Sequence, residues 1–377
     1  MKVSFLDIQS QNRLLREKSL KALRNVFDSG DFILGEEVKC FEREFAAYCG
    51  NRYAVGMNSG TDALFLALLG LGIGRGDEVI CPVYTYIATA LSVSYTGAKP
   101  VFVDIDGRTF NLDPQKIEKK IHKRTKAIIP VHLYGQPAAM PQILKIARAH
   151  KLKVIEDAAQ AHGAQVAGRS RRWQKAGTMG DIGCFSFYPT KNLNACGDAG
   201  CAVTDNRHLY KRLLMLRDQG RRGKNRYLHH IRGYNCRLDS LQAAVLRVKL
   251  QYLERTNRRR REQAYLYSKI LKEVPGITIA YEPEYARGVF HIYPVLARKR
   301  DFIYKELRKR NIHAGIVYRY PLHLQPAYKD LGYRRGDFPV AERIAREILC
   351  LPMHPYLTKK QTVFVGTTIK KLMKTSR

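Results

Sequence analysis

The sequence predicts an α/β fold in which a mainly parallel sheet lies between helices. Apolar runs typical of buried strands occur at 79–83, 100–103, 127–131, 154–156 and 182–187. A clear helical stretch at 140–150 lies between two of them, and alternation of strands with helices is typical of parallel sheets. With 377 residues and 45% hydrophobic content, the chain can also bury a second, smaller core.

A buried helix is expected to begin near residue 58. Residues 58–62 read Asn-Ser-Gly-Thr-Asp, and residues 63–69 are almost wholly apolar. A polar start before an apolar run is typical of a buried helix with a capped amino terminus. The glycines at 70, 72, 74 and 76 resemble a dinucleotide loop, but they follow a helix and precede a strand. This order is the reverse of the Rossmann arrangement, so we interpret them as a helix exit and turn.

The last third of the chain has a different pattern. From about residue 238 the sequence is helical up to residue 271. A mixed region follows, with a strand-like run at 290–296 and helices near 302–310 and 339–348. We therefore predict a large domain over residues 1–250 and a smaller α+β domain over residues 251–377.

The sequence favours a cytoplasmic protein without a membrane segment. The uncharged run at 79–98 contains Pro82, Gly97 and three tyrosines, which makes it a poor spanning helix. The short apolar run at 3–6 is interrupted by Asp7 before it reaches the length of a signal peptide's apolar region. Eight scattered cysteines without a CxxC pair, and eleven histidines without an HExxH pattern, predict reduced thiols and no metal site.

The net charge of +33 comes from 66 Lys and Arg against 33 Asp and Glu. Basic clusters at 169–172, 221–226 and 258–261 raise the hypothesis of a nucleic-acid-binding protein. They are dispersed along the chain without interleaved aromatic residues or a recognisable reading module, so we favour a solvated basic surface. A further interpretation is that part of this charge attracts an anionic substrate such as a nucleotide diphosphate.

Lys191 and Asp157 are the most informative residues for chemistry. Lys191 ends the segment FSFYPTK at 185–191, and Asp157 follows the apolar strand that begins at Val154. A lysine amine can bond covalently to the aldehyde of pyridoxal phosphate, while a carboxylate keeps the pyridine nitrogen protonated. The alternatives are a helix-capping aspartate and a solvated lysine. The turn residues at 189–190 and 197–200 favour a constrained loop around Lys191.

Phosphate-binding groups are predicted nearby in the fold. Ser59, Gly60 and Thr61 open the buried helix, where free backbone amides and the helix dipole favour an anion. Ser186 adds a hydroxyl, and Gln160 can donate to a phenolic oxygen of the cofactor ring. The alternatives are a structural N-cap, a strand-end serine and a surface amide.

Long motifs along nearly the whole chain resemble those of the DegT/DnrJ/StrS sugar aminotransferases, a group of fold-type-I pyridoxal phosphate enzymes. They are NSGTDAL at 58–64, TYIATAL at 85–91, PVHLYGQPA at 130–138, EDAAQAHGA at 156–164, FSFYPTKNL at 185–193 and GYNCRLDSLQAAVLRVKL at 233–250. The resemblance implies a large domain with a seven-stranded sheet and a smaller carboxy-terminal domain. It also implies a homodimer with shared active sites.

The resemblance assigns cofactor roles residue by residue. It implies phosphate contacts at Gly60, Thr61 and Ser186, with Ser59 at the same helix start also binding the cofactor, and ring stacking by Tyr86. It implies that Asp157 pairs with the pyridinium, that Gln160 contacts the phenolic oxygen and that Lys191 forms the Schiff base. It also implies that Asn235 contacts the phosphate of the neighbouring subunit.

The substrate is predicted from two further segments. HLYGQPA at 132–138 and PLHLQPAY at 321–328 are similar to enzymes that aminate carbon 3 of a dTDP-linked 3-keto-6-deoxyhexose with L-glutamate as donor. Val317, Arg319 and Asn194 depart from that pattern, in which His, Pro and Gly are usual. The alternative is a 4-aminotransferase acting on a nucleotide-linked 4-keto sugar.

Three residues are predicted to contact the substrate: Tyr188, Tyr318 and His323. Each has an ordinary alternative as a packing residue at a domain boundary. Relatives that dehydrate sugars carry histidine where this chain has Lys191, so the resemblance favours amination over dehydration.

Overall fold

The protein is described by a computed structural model that covers residues 1–167, 172–223, 225 and 227–375. The helices within these residues are α1 Ile8–Ser29, α2 Glu36–Cys49, α3 Gly60–Gly70, α4 Ala88–Tyr95, α5 Met140–Ala149, α6 Arg207–Arg217, α7 Ser240–Leu250, α8 Leu253–Leu271, α9 Arg300–Lys309, α10 Pro339–Glu347 and α11 Lys359–Thr375. The strands are β1 Tyr53–Met57, β2 Glu78–Pro82, β3 Lys99–Val103, β4 Thr125–Ile128, β5 Lys153–Asp157, β6 Gln165–Ala167, β7 Trp173–Lys175, β8 Ile182–Ser186, β9 Gly200–Thr204, β10 Ile277–Ile279, β11 Ala286–Arg287, β12 Tyr293–Ala297 and β13 Ile348–Leu351.

The central element is a seven-stranded sheet with the order β1-β9-β8-β5-β4-β2-β3. The five strands from β8 to β3 run parallel to one another, whereas β9 is antiparallel to both of its neighbours. The parallel strands read as short apolar runs because both sheet faces are covered, and every residue of β2 is buried. The predicted α/β fold with a mainly parallel seven-stranded sheet is confirmed.

The sheet brings two predicted site residues to one edge. Asp157 is the last residue of β5 and Ser186 is the last residue of β8. These strands are parallel neighbours, with Asp157 opposite Cys184, so their carboxyl ends meet at the same edge of the sheet. Ligands of open α/β sheets bind at such edges.

Helix α3 matches the helix that the sequence predicted near residue 58. The side chain of Ser59 caps it by accepting a hydrogen bond from the amide of Asp62, and every residue from Ala63 to Leu68 is buried. The glycine-rich segment that follows forms a turn before β2, as expected of a helix exit. Burial of its apolar residues fixes α3 beneath the sheet, with its amino terminus at the edge where β8 ends.

The carboxy-terminal part contains an antiparallel sheet with the order β10-β12-β13, packed with α8, α9 and α11. The predicted strand and the predicted helix near 302–310 correspond to β12 and α9. The helix predicted up to residue 348 ends at Glu347, because Ile348 begins β13. Val3 packs in the same core and pairs with Ile312, so the first residues join this part of the molecule. The predicted domain boundary at residue 250 stays a prediction.

The structure also bears on the predictions about membrane helices, cysteines and basic clusters. No helix in the described ranges is long and apolar enough to cross a bilayer. All eight cysteines are free thiols, and Cys196 is exposed. Of the basic clusters, residues 169–171, 224 and 226 lie outside the described residues, whereas the cluster at 258–261 belongs to α8.

The fold predicts that Gly183→Ala destabilises the protein. A Cβ at Gly183 in β8 would lie 1.8 Å from the carbonyl oxygen of Gly177, a backbone atom that cannot move without displacing its loop. We expect the free energy of unfolding to fall by about 1–3 kcal/mol or more, as for other overpacked sites. Chemical denaturation measures this change.

Gly74→Ala is the matched control for this prediction. The nearest atom to a Cβ at Gly74 is the carbonyl oxygen of Thr96 at 3.6 Å, which is ordinary contact. Its effect should stay within about 0.5 kcal/mol. Equal stability of the Gly183→Ala variant and the control would contradict the close contact between β8 and residue 177.

Candidate functional site

A cavity of about 490 Å³ lies at the edge of the large sheet where β5 and β8 end. Its volume falls in the range of ligand pockets, about 300–1,000 Å³. Ten of the twelve predicted site residues line it: Ser59, Gly60, Thr61, Tyr86, Asp157, Gln160, Ser186, Tyr188, Lys191 and Tyr318. Residues far apart in sequence thus line one cavity, as the predicted cofactor site requires.

The amino terminus of α3 forms one end of the cavity. Gly60 packs directly against Ser186, and a Cβ at this position would lie 2.6 Å from the Cβ of Ser186. Only glycine permits this approach between the helix start and the end of β8. The first-turn amides of a helix have no partner within the helix, and the helix dipole is positive at this end. The arrangement therefore favours an anion beside Gly60, Thr61 and Ser186.

Asp157 is held in a fixed orientation by two hydrogen bonds. The hydroxyl of Thr89 donates to Oδ2 at 2.8 Å, and the amide of Ala159 donates to Oδ1 at 3.2 Å. Burial raises the pKa of Asp157, while these hydrogen bonds and the positive charge of Lys191 lower it. A cation placed against this carboxylate would be stabilised by it.

Thr89 was missed by the sequence analysis. It lies four residues after Thr85, within the motif TYIATAL, and the two hydroxyls are 3.1 Å apart. The spacing of two threonines in an otherwise apolar segment was the signal that a buried polar network lies there. Its partner Asp157 is 68 residues away in sequence, so only the fold reveals the contact.

The neighbouring carboxylate, Glu156, has a structural task. It is fully buried and accepts hydrogen bonds from the amides of Gly177, Met179 and Gly180, at 2.8, 2.5 and 2.6 Å. Its Oε2 also lies 2.9 Å from Nε2 of His132. Successive strand residues face opposite sides of the sheet, so Glu156 anchors the loop behind the strand while Asp157 faces the cavity.

Lys191 lies in the loop between β8 and β9. Its amide donates to the carbonyl oxygen of Tyr188 at 2.8 Å, and the side-chain amide of Asn194 donates to the carbonyl oxygen of Pro189. Burial lowers the pKa of Lys191 to about 8, against the opposing attraction of the Asp157 carboxylate. An amine with this pKa is partly neutral near physiological pH and can act as a nucleophile or a base.

An aromatic and amide wall faces the same cavity. Gln160 donates from Nε2 to Oη of Tyr318 at 3.1 Å and accepts from the amide of Tyr134 at 2.7 Å. The rings of Tyr86 and Tyr318 lie 6.0 Å apart, centre to centre, with 33° between their planes. The hydroxyl of Tyr84 bonds to both the carbonyl oxygen and the amide of Tyr318, each at 2.8 Å. These contacts fix Tyr318, whereas Tyr86 is 58% exposed at the cavity mouth.

Two histidines near Lys191 were not predicted. His291 lines the cavity, with Nδ1 3.3 Å from Oδ1 of Asn192. Burial lowers the pKa of His162 to about 3 and holds the pKa of His291 well below its usual value, and the charge of Lys191 acts in the same direction. Both rings are therefore neutral at physiological pH and add no positive charge that would compete with Lys191.

Two predicted residues lie away from the cavity wall. Asn235 is exposed, and its backbone pairs with Asp218, so its predicted contact with a neighbouring subunit stays a prediction. The ring of His323 is fully buried, with Nε2 3.1 Å from Oε1 of Glu342 and its centre 4.8 Å from the ring centre of Phe338. This pair and the packing enclose the ring, and the predicted substrate contact at His323 stays a prediction.

Comparisons with known proteins agree with this geometry. A model of the DegT/DnrJ/EryC1/StrS aminotransferase family matches residues 13–370. A relative from Streptomyces venezuelae, named dTDP-3-amino-3,4,6-trideoxy-alpha-D-glucose transaminase, is 45% identical over 369 residues, covering 98% of this chain and 96% of the relative. A relative from Acidithiobacillus ferrooxidans, named as a 3-aminotransferase of UDP-N-acetyl-3-dehydro-alpha-D-glucosamine, is 42% identical over 371 residues, covering 98% of each chain.

Solved structures have the same fold. The crystal structure of DesV from S. venezuelae, in complex with a ketimine intermediate, has a TM-score of 0.95 and 44% identity, covering 99% of this chain and 98% of DesV. The sugar aminotransferase Spr1654 from Streptococcus pneumoniae, described as putative and solved in its PMP-form, has a TM-score of 0.89 and 27% identity, covering 95% of this chain and 96% of Spr1654.

The site geometry predicts how Lys191 titrates in the protein without cofactor. Because burial lowers its pKa to about 8, labelling of its amine by a reagent that reacts with neutral amines should rise with pH to half-maximum near pH 8. Pulse labelling followed by peptide mass spectrometry measures this curve. Asp157→Asn should move the midpoint to lower pH, since it removes a charge that favours the ammonium form. An unchanged midpoint would contradict the coupling of the two groups.

Proposed function

This chain belongs to the DegT/DnrJ/EryC1/StrS aminotransferase family, and we propose that it transfers an amino group from L-glutamate to carbon 3 of a dTDP-linked 3-keto-6-deoxyhexose. It is an aminotransferase that acts on sugar nucleotides. The observation that carries the proposal is the shared cavity of Lys191 and Asp157, whose charges influence each other, beside the amino terminus of α3.

The cavity residues fit pyridoxal phosphate on three counts. The close approach of Gly60 to Ser186 leaves a helix terminus that suits the phosphate. The buried carboxylate of Asp157 suits the protonated ring nitrogen, because a cation there offsets the cost of burying its charge. The amine of Lys191, with a pKa of about 8, suits attachment of the aldehyde. When bound, the cofactor supplies an electron sink for the carbon that loses a proton.

The residues around this cofactor have distinct proposed tasks. Lys191 removes and returns the proton at the amine-bearing carbon, first of the donor and then of the sugar. Asp157 keeps a proton on the ring nitrogen, and Thr89 fixes its carboxylate through the 2.8 Å hydrogen bond. Tyr86, which is 58% exposed at the cavity mouth, would stack on the cofactor ring. Gln160 donates to the phenolic oxygen from a position fixed by its bond with the amide of Tyr134.

Substrate contacts are proposed at the mouth of the cavity. Tyr188 is 51% exposed there, and Tyr318 lies in the wall with its hydroxyl bonded to Gln160. Both place a hydroxyl where a sugar can accept or donate a hydrogen bond. The burial of His323 supports a structural task for that residue, so we leave it out of the proposed contacts.

The choice of carbon 3 rests on the relatives. The names of both reported relatives place the amino group or its precursor at position 3, on a dTDP-linked sugar in one case and a UDP-linked sugar in the other. The relative with the dTDP-linked sugar and the motif HLYGQPA support the dTDP-linked substrate. A UDP-linked 3-keto sugar is the second candidate, since the 42% identical relative is named for one.

We expect product analysis to identify the ring position. Protein loaded with pyridoxal phosphate and supplied with L-glutamate should convert a dTDP-3-keto-6-deoxyhexose into its 3-amino product, detected by NMR. Matched UDP-linked 3-keto sugars and dTDP-linked 4-keto sugars should react more slowly. Faster amination at carbon 4 would overturn the assignment of the substrate, while amination at carbon 3 of a UDP-linked sugar alone would overturn the nucleotide.

Substitutions at Lys191 and at Thr89, the hydrogen-bond partner of Asp157, should separate their tasks. Lys191→Ala should reduce kcat by about a thousandfold or more, since general acid-base catalysis contributes about 10²–10⁴-fold. Thr89→Val removes the hydroxyl that donates to Asp157 and that also contacts the hydroxyl of Thr85, and it should reduce kcat by about tenfold, as loss of a supporting partner does. Steady-state kinetics measure both, with denaturation curves to verify folding. Full activity of Lys191→Ala would refute the proposed role.

The proposed homodimer with shared sites can be tested by complementation. Each site would combine Lys191 of one subunit with Asn235 of the other. Lys191→Ala and Asn235→Ala homodimers should each be impaired. After subunit exchange, a mixed dimer carries both changes in one site and none in the other, so activity should recover to about a quarter of the wild-type level. Exchange without recovery would contradict sharing of the site between subunits.

A further inference from the structure

A second cavity, of about 170 Å³, lies on the other side of the loop that carries Lys191. Three cations line it: Lys249 on α7, and Arg255 and Arg259 on α8. Asn192, the residue after Lys191, also lines it, so the cavity adjoins the catalytic loop. No Asp or Glu occurs among the residues of its described lining. We call this cavity the basic pocket.

Lys249 carries a buried charge with few partners. The residue is only 4% exposed, and its ammonium donates one hydrogen bond, at 3.0 Å, to Oδ1 of Asn194. An ammonium has three N–H donors, and Lys249 forms no salt bridge with a carboxylate in the described part of the chain. Burial lowers the pKa of Lys249. A buried cation without a counter-charge is costly, so an anion in the pocket would stabilise it.

The arginines present further donors to the same space. Arg255 and Arg259 are exposed, and neither forms an ion pair within the described ranges. Tyr252, which also lines the pocket, accepts a hydrogen bond from Lys18 at 2.5 Å, and this brings a fourth cation close. The planar fork of an arginine matches the oxygen atoms of a phosphate, and a lysine adds a point charge.

We propose that the basic pocket binds a phosphate group through Lys249, Arg255 and Arg259. This site is separate from the phosphate position at the start of α3, because the two cavities share no lining residue. Phosphate binding here depends on the contacts of this pocket and not on a particular sugar substrate.

The bound phosphate would touch residues that position the Lys191 loop. Asn194 links Lys249 to the carbonyl oxygen of Pro189, two residues before Lys191. Asn192 donates to Oδ1 of Asn257 at 2.9 Å and to the carbonyl oxygen of Val289 at 3.2 Å. Lys249 and Asn192 thus connect the pocket to both sides of the loop. Phosphate should therefore raise the melting temperature of the protein as well as bind to it.

Calorimetric titration of the pyridoxal-phosphate-loaded protein with inorganic phosphate tests the proposal. In the loaded protein the phosphate of the cofactor occupies the position at the start of α3. Sodium chloride at equal ionic strength controls for the screening of charges. We expect saturable binding with a Kd of about 1 mM or less. Lys249→Met should weaken it by about tenfold or more, as should Arg255→Gln, which changes an exposed side chain and keeps the test valid if Lys249→Met does not fold.

Lys119→Gln, a change at an exposed lysine outside the pocket, is the matched control and should leave phosphate binding unchanged. Absence of saturable binding, or equal affinity in both pocket variants and the control, would overturn the proposal. A second titration with dTDP distinguishes two sources of the phosphate. Competition between dTDP and phosphate, lost in the pocket variants, identifies the diphosphate of a sugar nucleotide, whereas independent binding identifies free phosphate. Neither titration requires turnover, so failure of the proposed function leaves this test intact.

Discussion

The electrostatic coupling between the opposite charges of Asp157 and Lys191 is the constraint on which the rest of the site depends. Burial raises the pKa of the carboxylate and lowers the pKa of the amine, so each group alone tends toward its neutral form. Each also favours the charged form of the other across the shared cavity. A cation beside Asp157 would favour its carboxylate form, while Lys191 remains available as a partly neutral amine.

The surrounding structure maintains this pair by separating structural tasks from chemical ones. Glu156 anchors the loop behind β5 through three backbone amides, which leaves Asp157 free to face the cavity. Neutral His162 and His291 fill the space near Lys191 without adding charge. The approach of Gly60 to Ser186 brings the positive end of α3 to the same cavity. The chemistry thus depends on close backbone packing as much as on the reactive side chains.

Sequence patterns predicted the parts of the fold that are local. The parallel strands and α3 are continuous apolar runs, so their burial is visible without any partner. Strand β9 was missed because it starts at Gly200, inside a segment that reads as a turn, and it pairs antiparallel within a parallel sheet. Strand β13 was missed because its apolar residues continue the pattern of α10.

The sequence predicted the site residues that lie in the family motifs. Ten of the twelve predicted residues line the cavity, but Thr89 and the basic pocket depend on contacts between distant segments. His323 illustrates the converse, since its motif resembles a substrate segment whereas its ring pairs with Glu342 in the interior. A motif identifies which residues recur together, and the packing decides which of them face a ligand.

The central claim is that the amine of Lys191 bonds to the cofactor within this cavity. Borohydride reduction of the pyridoxal-phosphate-loaded protein, followed by peptide mass mapping, tests it most directly. The account predicts one phosphopyridoxyl group, located on Lys191 and absent from the Lys191→Ala variant. A label on another lysine, or no label on the loaded protein, would contradict it.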